Sequence, residues 1–243
     1  MRLSSLTAAL LMYIAWAVAG QYLAAQVHSG IIQAIDQAEE DREASLTAFS
    51  TTEIYRVYKS RNDVPIGERI VRTTYIRDKA KTFKELSRSG SSRAQEAIDH
   101  IIRAQQELSP EKRRLSLLIS SNYKMRLLAA NEQPRLKPIC GMTSANTPAY
   151  ILEIRPKAPG PTLVEGFLWV DSRNYHVIRI EGKLSASPSW FVGHAPVERN
   201  YADKNGFAMA TSFCSITNRW WHPDYTLQIT YKDYEFLHSV SQK

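Results

Sequence analysis

From Asn122 onward, short runs of β-branched and aromatic residues follow one another, separated by turn residues and with no helical stretch between them. That texture excludes the alternating βαβ order of parallel-sheet folds and restricts the chain to antiparallel pairing. The spacing predicts strands over Tyr123–Ala129, Ala149–Arg155, Thr162–Asp171, Tyr175–Lys183, Pro196–Tyr201, Ala208–Thr217 and Asp224–Tyr234. Turn chemistry stands between them at Pro156 to Pro161, Asp171 to Asn174, Asp203 to Gly206 and His222-Pro223. In the last run Tyr225, Leu227, Ile229 and Tyr231 alternate with Thr226, Gln228, Thr230 and Lys232, as in a sheet with one apolar face. Upstream, Thr52–Lys59 and Glu68–Arg77 read as a long hairpin, and Phe83–Ser87 as a third strand. The stretch Glu132 to Pro148, with three prolines, Gly141 and Cys140, reads as a loop.

Two segments carry helical period instead. Ser29 is placed to cap a helix with Ile31, Ile32, Ile35 and Ala38 on one face and Asp36, Glu39, Glu40 and Asp41 on the other, ending near Ala44 or Ser45. Ser92-Arg93-Ala94-Gln95 fits a capping box ahead of Ala97, Ile98, Ile101, Ile102, Gln105 and Leu108, with Pro110 just past the end. An apolar stripe of that kind needs a surface to cover, and the concave side of a sheet supplies one. The expected fold is mainly β (α+β), a single curved antiparallel sheet with helices on its concave face.

The ends say where such a chain works. Arg2 precedes Leu3 to Ala19, which carry no charge, and Ala17-Val18-Ala19 or Leu23-Ala24-Ala25 offers the small residues that signal peptidase requires. Residues 1–25 are therefore expected to be a signal peptide, with an uncleaved membrane anchor as the alternative, and residues 26–243 one periplasmic domain. Cys140 and Cys214 belong to no CxxC pair and have no histidine at ligand spacing, so metal binding is not expected. For an exported chain the expectation is one disulfide between them, closing a loop of about 75 residues. The formal charge is +7, and Arg56, Lys59, Arg61, Arg69, Arg72 and Arg77 mostly alternate with other residues along the strands. That pattern suits a solvated sheet face better than a nucleic-acid stripe, and no nucleic-acid partner is expected.

No GxSxG, HExxH or phosphate-binding loop occurs, and the six histidines are scattered, so the reading is non-enzymatic and without cofactor. Aromatic residues are more informative. Phe167 and Trp169 lie in Leu163–Asp171, a strand apolar on both faces that needs cover above and below. Trp190-Phe191 and Trp220-Trp221 fall at loop positions, where they either plug a cavity mouth or touch a partner, or else cap the ends of the core. The residues expected to line a cavity or its mouth are Phe167, Trp169, Trp190 and Phe191, with Ile98, Ile101 and Ile102 from the second helix and Leu227, Ile229 and Tyr231 from the last strand. A curved sheet with an apolar concave face and two helices to fill it leaves room for an acyl chain or a lipidated peptide.

Several motifs recur together. Ile119-Ser120-Ser121-Asn122-Tyr123 is followed by Tyr150 to Lys157, then by Glu165-Gly166-Phe167-Leu168-Trp169-Val170-Asp171 and Tyr175 to Gly182. Ser187-Pro188-Ser189-Trp190-Phe191 and Thr226 to Tyr234 close the order. This order resembles the bacterial outer-membrane lipoprotein-sorting proteins, the LolA/LolB-like superfamily, in a divergent branch built around a G-x-x-W-V-D … R-I-x-G core. The resemblance covers most of residues 50 to 236. It implies an unclosed β-barrel of about eleven antiparallel strands, with helices as a lid over an apolar cavity. It also implies a periplasmic carrier that holds the acyl chains of a lipoprotein or lipid, passing them between inner- and outer-membrane partners without chemistry. Related domains act as envelope sensors or interaction modules, which is the alternative expectation here, with the cavity filled by the protein's own side chains. Two departures from the pattern stand out. Leu136 to Pro148, with Cys140, looks like an insertion, and Phe207-Ala208-Met209-Ala210 lacks the expected Trp/Phe-x-Pro pair.

Overall fold

The computed structural model describes residues 26–59, 63–134, 139–140, 147–160, 162–186, 195–219 and 222–237. Ten strands form one antiparallel sheet: β1 (Ala48–Lys59), β2 (Gly67–Ile76), β3 (Thr82–Gly90), β4 (Tyr123–Leu127), β5 (Ala149–Pro156), β6 (Val164–Asp171), β7 (Val177–Leu184), β8 (Pro196–Lys204), β9 (Phe207–Arg219) and β10 (His222–Phe236). Their order across the sheet is β3-β2-β1-β10-β9-β8-β7-β6-β5-β4. The edge strands β3 and β4 do not pair with each other, so the barrel is not closed. Ten strands stand where the family resemblance implied about eleven, among the described residues.

The chain's first hairpin joins its last strand. Tyr55 lies opposite Ile229 on β10 and Arg69 on β2, a pairing that closes the largest separation along the chain. Most strands run longer than the sequence predicted, because ladder bonds extend past the last strongly apolar residue. β7 starts late, at Val177, since Tyr175 adopts a left-handed φ of 59° at the end of the preceding turn.

Three helices accompany the sheet: α1 over residues 26–45, α2 (Ser92–Gln106) and α3 (Pro110–Leu115). Ser29 falls inside α1 and does not cap it. Ile31 and Ile35 of α1 are buried against Leu152, Ile154, Leu168 and Val170, which covers the β4–β7 end of the sheet. Burying each isoleucine is worth about 1.5–3 kcal/mol. Two acidic residues expected on the wet face of α1 are instead engaged. Asp36 accepts hydrogen bonds from the Ser120 backbone N–H (2.7 Å) and hydroxyl, and Glu39 pairs with Arg42 at 3.2 Å.

The cap of α2 is Ser91, one residue before the sequence expectation, with its hydroxyl accepting from the Ala94 N–H at 3.3 Å. Gln95 therefore does not reach back to close a capping box. It turns onto the sheet, donating to the Glu68 carbonyl (3.0 Å) and that of Ser89 while accepting from the Arg69 guanidinium (3.0 and 2.8 Å). Arg69, expected on a solvated face, is 3% exposed. Helix α3 was not anticipated. In the sequence Pro110 reads as the stop of α2, but proline also suits the first turn of a helix, and Ser109 caps α3 by accepting from Lys112 N–H at 3.3 Å.

Two glycines of the motif that carried the resemblance meet across the sheet. Gly166 on β6 lies opposite Gly182 on β7, and a Cβ built on Gly182 would stand 2.2 Å from the Glu165 carbonyl oxygen. The strands approach so closely that neither position has room for a methyl group. Gly182→Ala is therefore expected to lower stability by about 1–3 kcal/mol as the ladder spreads. A urea titration that shows no change in midpoint would contradict that close approach.

Candidate functional site

Registers across the sheet assign each side chain to a face. The inner face, covered by α1 and α2, carries two neighbouring rows. One runs Arg199, Phe213, Ile229, Tyr55 and Arg69 from β8 to β2. The other includes Tyr231, Glu53 and Val71 from β10 to β2. Helix α2 covers the β1–β3 end, where Ile98 and Ile102 pack with Tyr55, Val57, Val71 and Ile229. Between the two helices, the inner side of β8–β10 is only half covered. Phe213, Tyr225, Leu227 and Tyr231 are partly buried there beside Ile101, and Arg199 is exposed.

That hollow is mixed in character. Its apolar wall comes from α2 and β10. Its polar side is a relay in which Lys81 approaches the Gln105 side-chain oxygen at 3.4 Å, and Gln105 donates to the Tyr55 hydroxyl at 3.0 Å. Tyr55 in turn donates to Glu53, which is 1% exposed. Burial, and then the nearby Glu53 charge, push the Tyr55 hydroxyl far above the usual phenol range. Arg199 stacks over the Phe213 ring at 5.2 Å. Crowding by protein works against its charge, but Tyr201, Tyr231 and Glu53 together outweigh that and hold its pKa above the usual value. A recess of about 440 Å³ opens beside Tyr231, Lys232, Asp233, Tyr234 and Phe236, next to Lys204 and Asn205 at the β8–β9 turn.

The sequence-predicted residues divide by face. Ile98, Ile101, Ile102, Leu227, Ile229 and Tyr231 come together in this one cluster. Phe167 and Trp169 lie on the opposite, outer face, because their neighbours Leu168 and Val170 are the ones that meet α1. The strand Leu163–Asp171 is apolar on both sides, so alternation alone carried no signal of which set turns inward. Trp190, Phe191 and the Trp220-Trp221 pair lie outside the described residues. Glu53, Tyr55, Lys81 and Arg199 were missed. A signal for Glu53 existed: it shares its alternation with Tyr55 and Val57, which places a carboxylate in an otherwise apolar row.

The outer face of β6–β9 holds a buried charge network. Arg179 pairs with Glu181 and lies 3.6 Å from Glu198, with its guanidinium over the Trp169 ring at 5.1 Å. Glu198 also accepts from Asn200 at 3.1 Å and from the Ile139 backbone N–H at 2.9 Å. Cys140, next to Ile139, is bonded to Cys214, with Cα atoms 6.3 Å apart. Ile139 and Cys140, both from the apparent insertion, thus lie against the outer sheet face.

Among the described residues no helix is long and apolar enough to cross a membrane. No family model matches the chain, and no curated protein matches it. Among solved structures, the chain is similar to a LolA superfamily protein from Nitrosomonas europaea, with 12% identity over 85% of this chain and 94% of that one, at a TM-score of 0.42. It is also similar to an outer membrane lipoprotein-sorting protein domain from Vibrio parahaemolyticus, with 12% identity over 86% and 93% of the two chains and a TM-score of 0.44.

Proposed function

We propose that the protein is an exported, periplasmic carrier or binding protein that holds the acyl chain of a lipid or lipidated protein in the hollow between α1 and α2. One observation carries this reading: Phe213, Tyr225, Leu227 and Tyr231 line the inner face of the central strands while remaining only partly buried. Apolar side chains gathered in a concavity with two helical walls form a surface that an acyl chain completes, at about 25 cal/mol for each Å² removed from water. Binding and release need no bond to form or break. Transfer would follow from differences in affinity between successive apolar sites, with membrane-bound donor and acceptor proteins as the partners.

The stacking of Arg199 on Phe213 favours a second reading, in which the protein's own side chains fill the hollow and the domain works as an envelope sensor or interaction module. Titration with an environment-sensitive fluorescent fatty acid separates the two. The carrier reading expects saturable, stoichiometric binding at micromolar ligand. It also expects Leu227→Gln to weaken that binding about tenfold, or ~1.4 kcal/mol, while Phe167→Leu on the outer face leaves it unchanged. No saturable binding would reject the carrier reading and leave the sensor.

A further inference from the structure

We infer, resting on the carrier reading, that the ligand is an amphiphile with an anionic head, a carboxylate or a phosphate, which docks between Arg199 and Lys81 while its chain runs along Phe213 and Leu227. The argument starts from a charge imbalance. Arg199, Lys81 and Arg113 all act on one another or on Glu53 at the polar side of the hollow. Arg42 of α1 approaches the same region but is answered by Glu39 and Glu43 from its own helix. Arg113 is answered in part by Glu111 on its own helix, so among the described residues Glu53 is the carboxylate left to face Arg199 and Lys81, and it is buried and already accepts a hydrogen bond from the Tyr55 hydroxyl.

Hydrogen-bond capacity is unbalanced in the same direction. A guanidinium carries five N–H donors and an ammonium three, with no acceptor on either. Among the described residues, the acceptors near Arg199 are the Tyr201 hydroxyl and, at longer range, Tyr231 and Glu53. Lys81 has the Gln105 oxygen at 3.4 Å. On Arg113, which stacks over Tyr75 at 5.3 Å and donates to the Lys79 carbonyl, the buried Nη1 has no hydrogen-bond partner. The Lys81 ammonium is pushed below its usual pKa by burial, with Arg199 and Arg113 adding to the effect and Glu53 opposing it. An anion placed between Lys81 and Arg199 would supply the missing acceptors and reverse that destabilisation. The aromatic and aliphatic side chains beside Arg199 suit an acyl tail attached to the same head.

The test compares ligands of one chain length in displacement of the fluorescent probe: a long-chain fatty acid, the matching fatty alcohol, and acetate and inorganic phosphate as free anions. The expected result is that the acid binds about tenfold or more tightly than the alcohol. Arg199→Gln and Lys81→Gln should each shrink that preference while leaving the affinity for the alcohol in place. Thermal melts of both variants confirm that they fold. Equal affinity for acid and alcohol, or a preference that survives both substitutions, would overturn the anionic-head inference while the carrier reading stands. Displacement by acetate or phosphate as effective as by the fatty acid would overturn it too, in favour of a free-anion site. Failure of acid and alcohol alike would remove the carrier reading itself.

Discussion

Arg179→Met is expected to lower the free energy of unfolding by about 3–5 kcal/mol, the range found when one partner of a buried ion pair is removed. The side chains of Arg179, Glu181 and Glu198 are 10%, 6% and 0% exposed, so water cannot take over the role of the lost cation. Methionine fills the volume and can still lie against Trp169, which isolates the electrostatic part of the loss. The effect should depend on pH in a defined direction. Burial raises the Glu181 carboxyl above its usual pKa, Glu198 adds to this, and Arg179 opposes it. A carboxyl raised in the folded state contributes stability below its unfolded pKa and loses it as pH rises through the folded value. Without Arg179 the Glu181 pKa rises further, so the variant should lose most near neutral pH and above. Its deficit should shrink as the solution is acidified. Urea unfolding at about pH 5 and pH 8 reads this out, and a deficit that is the same at both would contradict the network.

Removing the Cys140–Cys214 bond is expected to cost a comparable amount. The cysteines are separated by 74 residues in sequence, and the chain-entropy model gives about 3–4.5 kcal/mol for a loop of that size. For a domain of this length that corresponds to a fall in Tm of roughly 10 °C. Two further consequences follow from the position of the bond. Ile139 holds Glu198 through its backbone N–H, so releasing Cys140 loosens a hydrogen bond to a fully buried carboxylate. Arg179 then becomes more important, and the double cysteine-to-alanine variant combined with Arg179→Met should deviate from additivity. Calorimetry of the wild type with and without reductant, beside the double alanine variant, measures the main effect. A loss below about 1 kcal/mol would show that the outer-face segment is held by its packing alone.

Much of the fold was legible in the chain. The alternation of Tyr225, Leu227, Ile229 and Tyr231 named the inward side of β10 correctly, because the other side is uniformly polar and only one parity can be buried. The helical period of α2 and the inward set Ile98, Ile101 and Ile102 were readable for the same reason. Its cap was misplaced by one residue, since Ser91 and Ser92 are equivalent in sequence and Gln95 had a better use on the sheet. The glycines of the motif were visible as letters, but the reason for them, a close approach of β6 and β7, was not.

By itself, then, the sequence determined which segments are strands, that they pair antiparallel, and which side is buried wherever polar and apolar residues alternate. These properties depend on neighbours two to four residues apart, which local periodicity records. The tertiary structure alone decided that β1 joins β10, that Phe167 and Trp169 face outward, and that Arg69, Arg179, Glu53 and Glu198 are buried. A charged residue can leave water only when partners from distant strands meet it. Those meetings are made by register and by the closing of long loops, and no local pattern carries them.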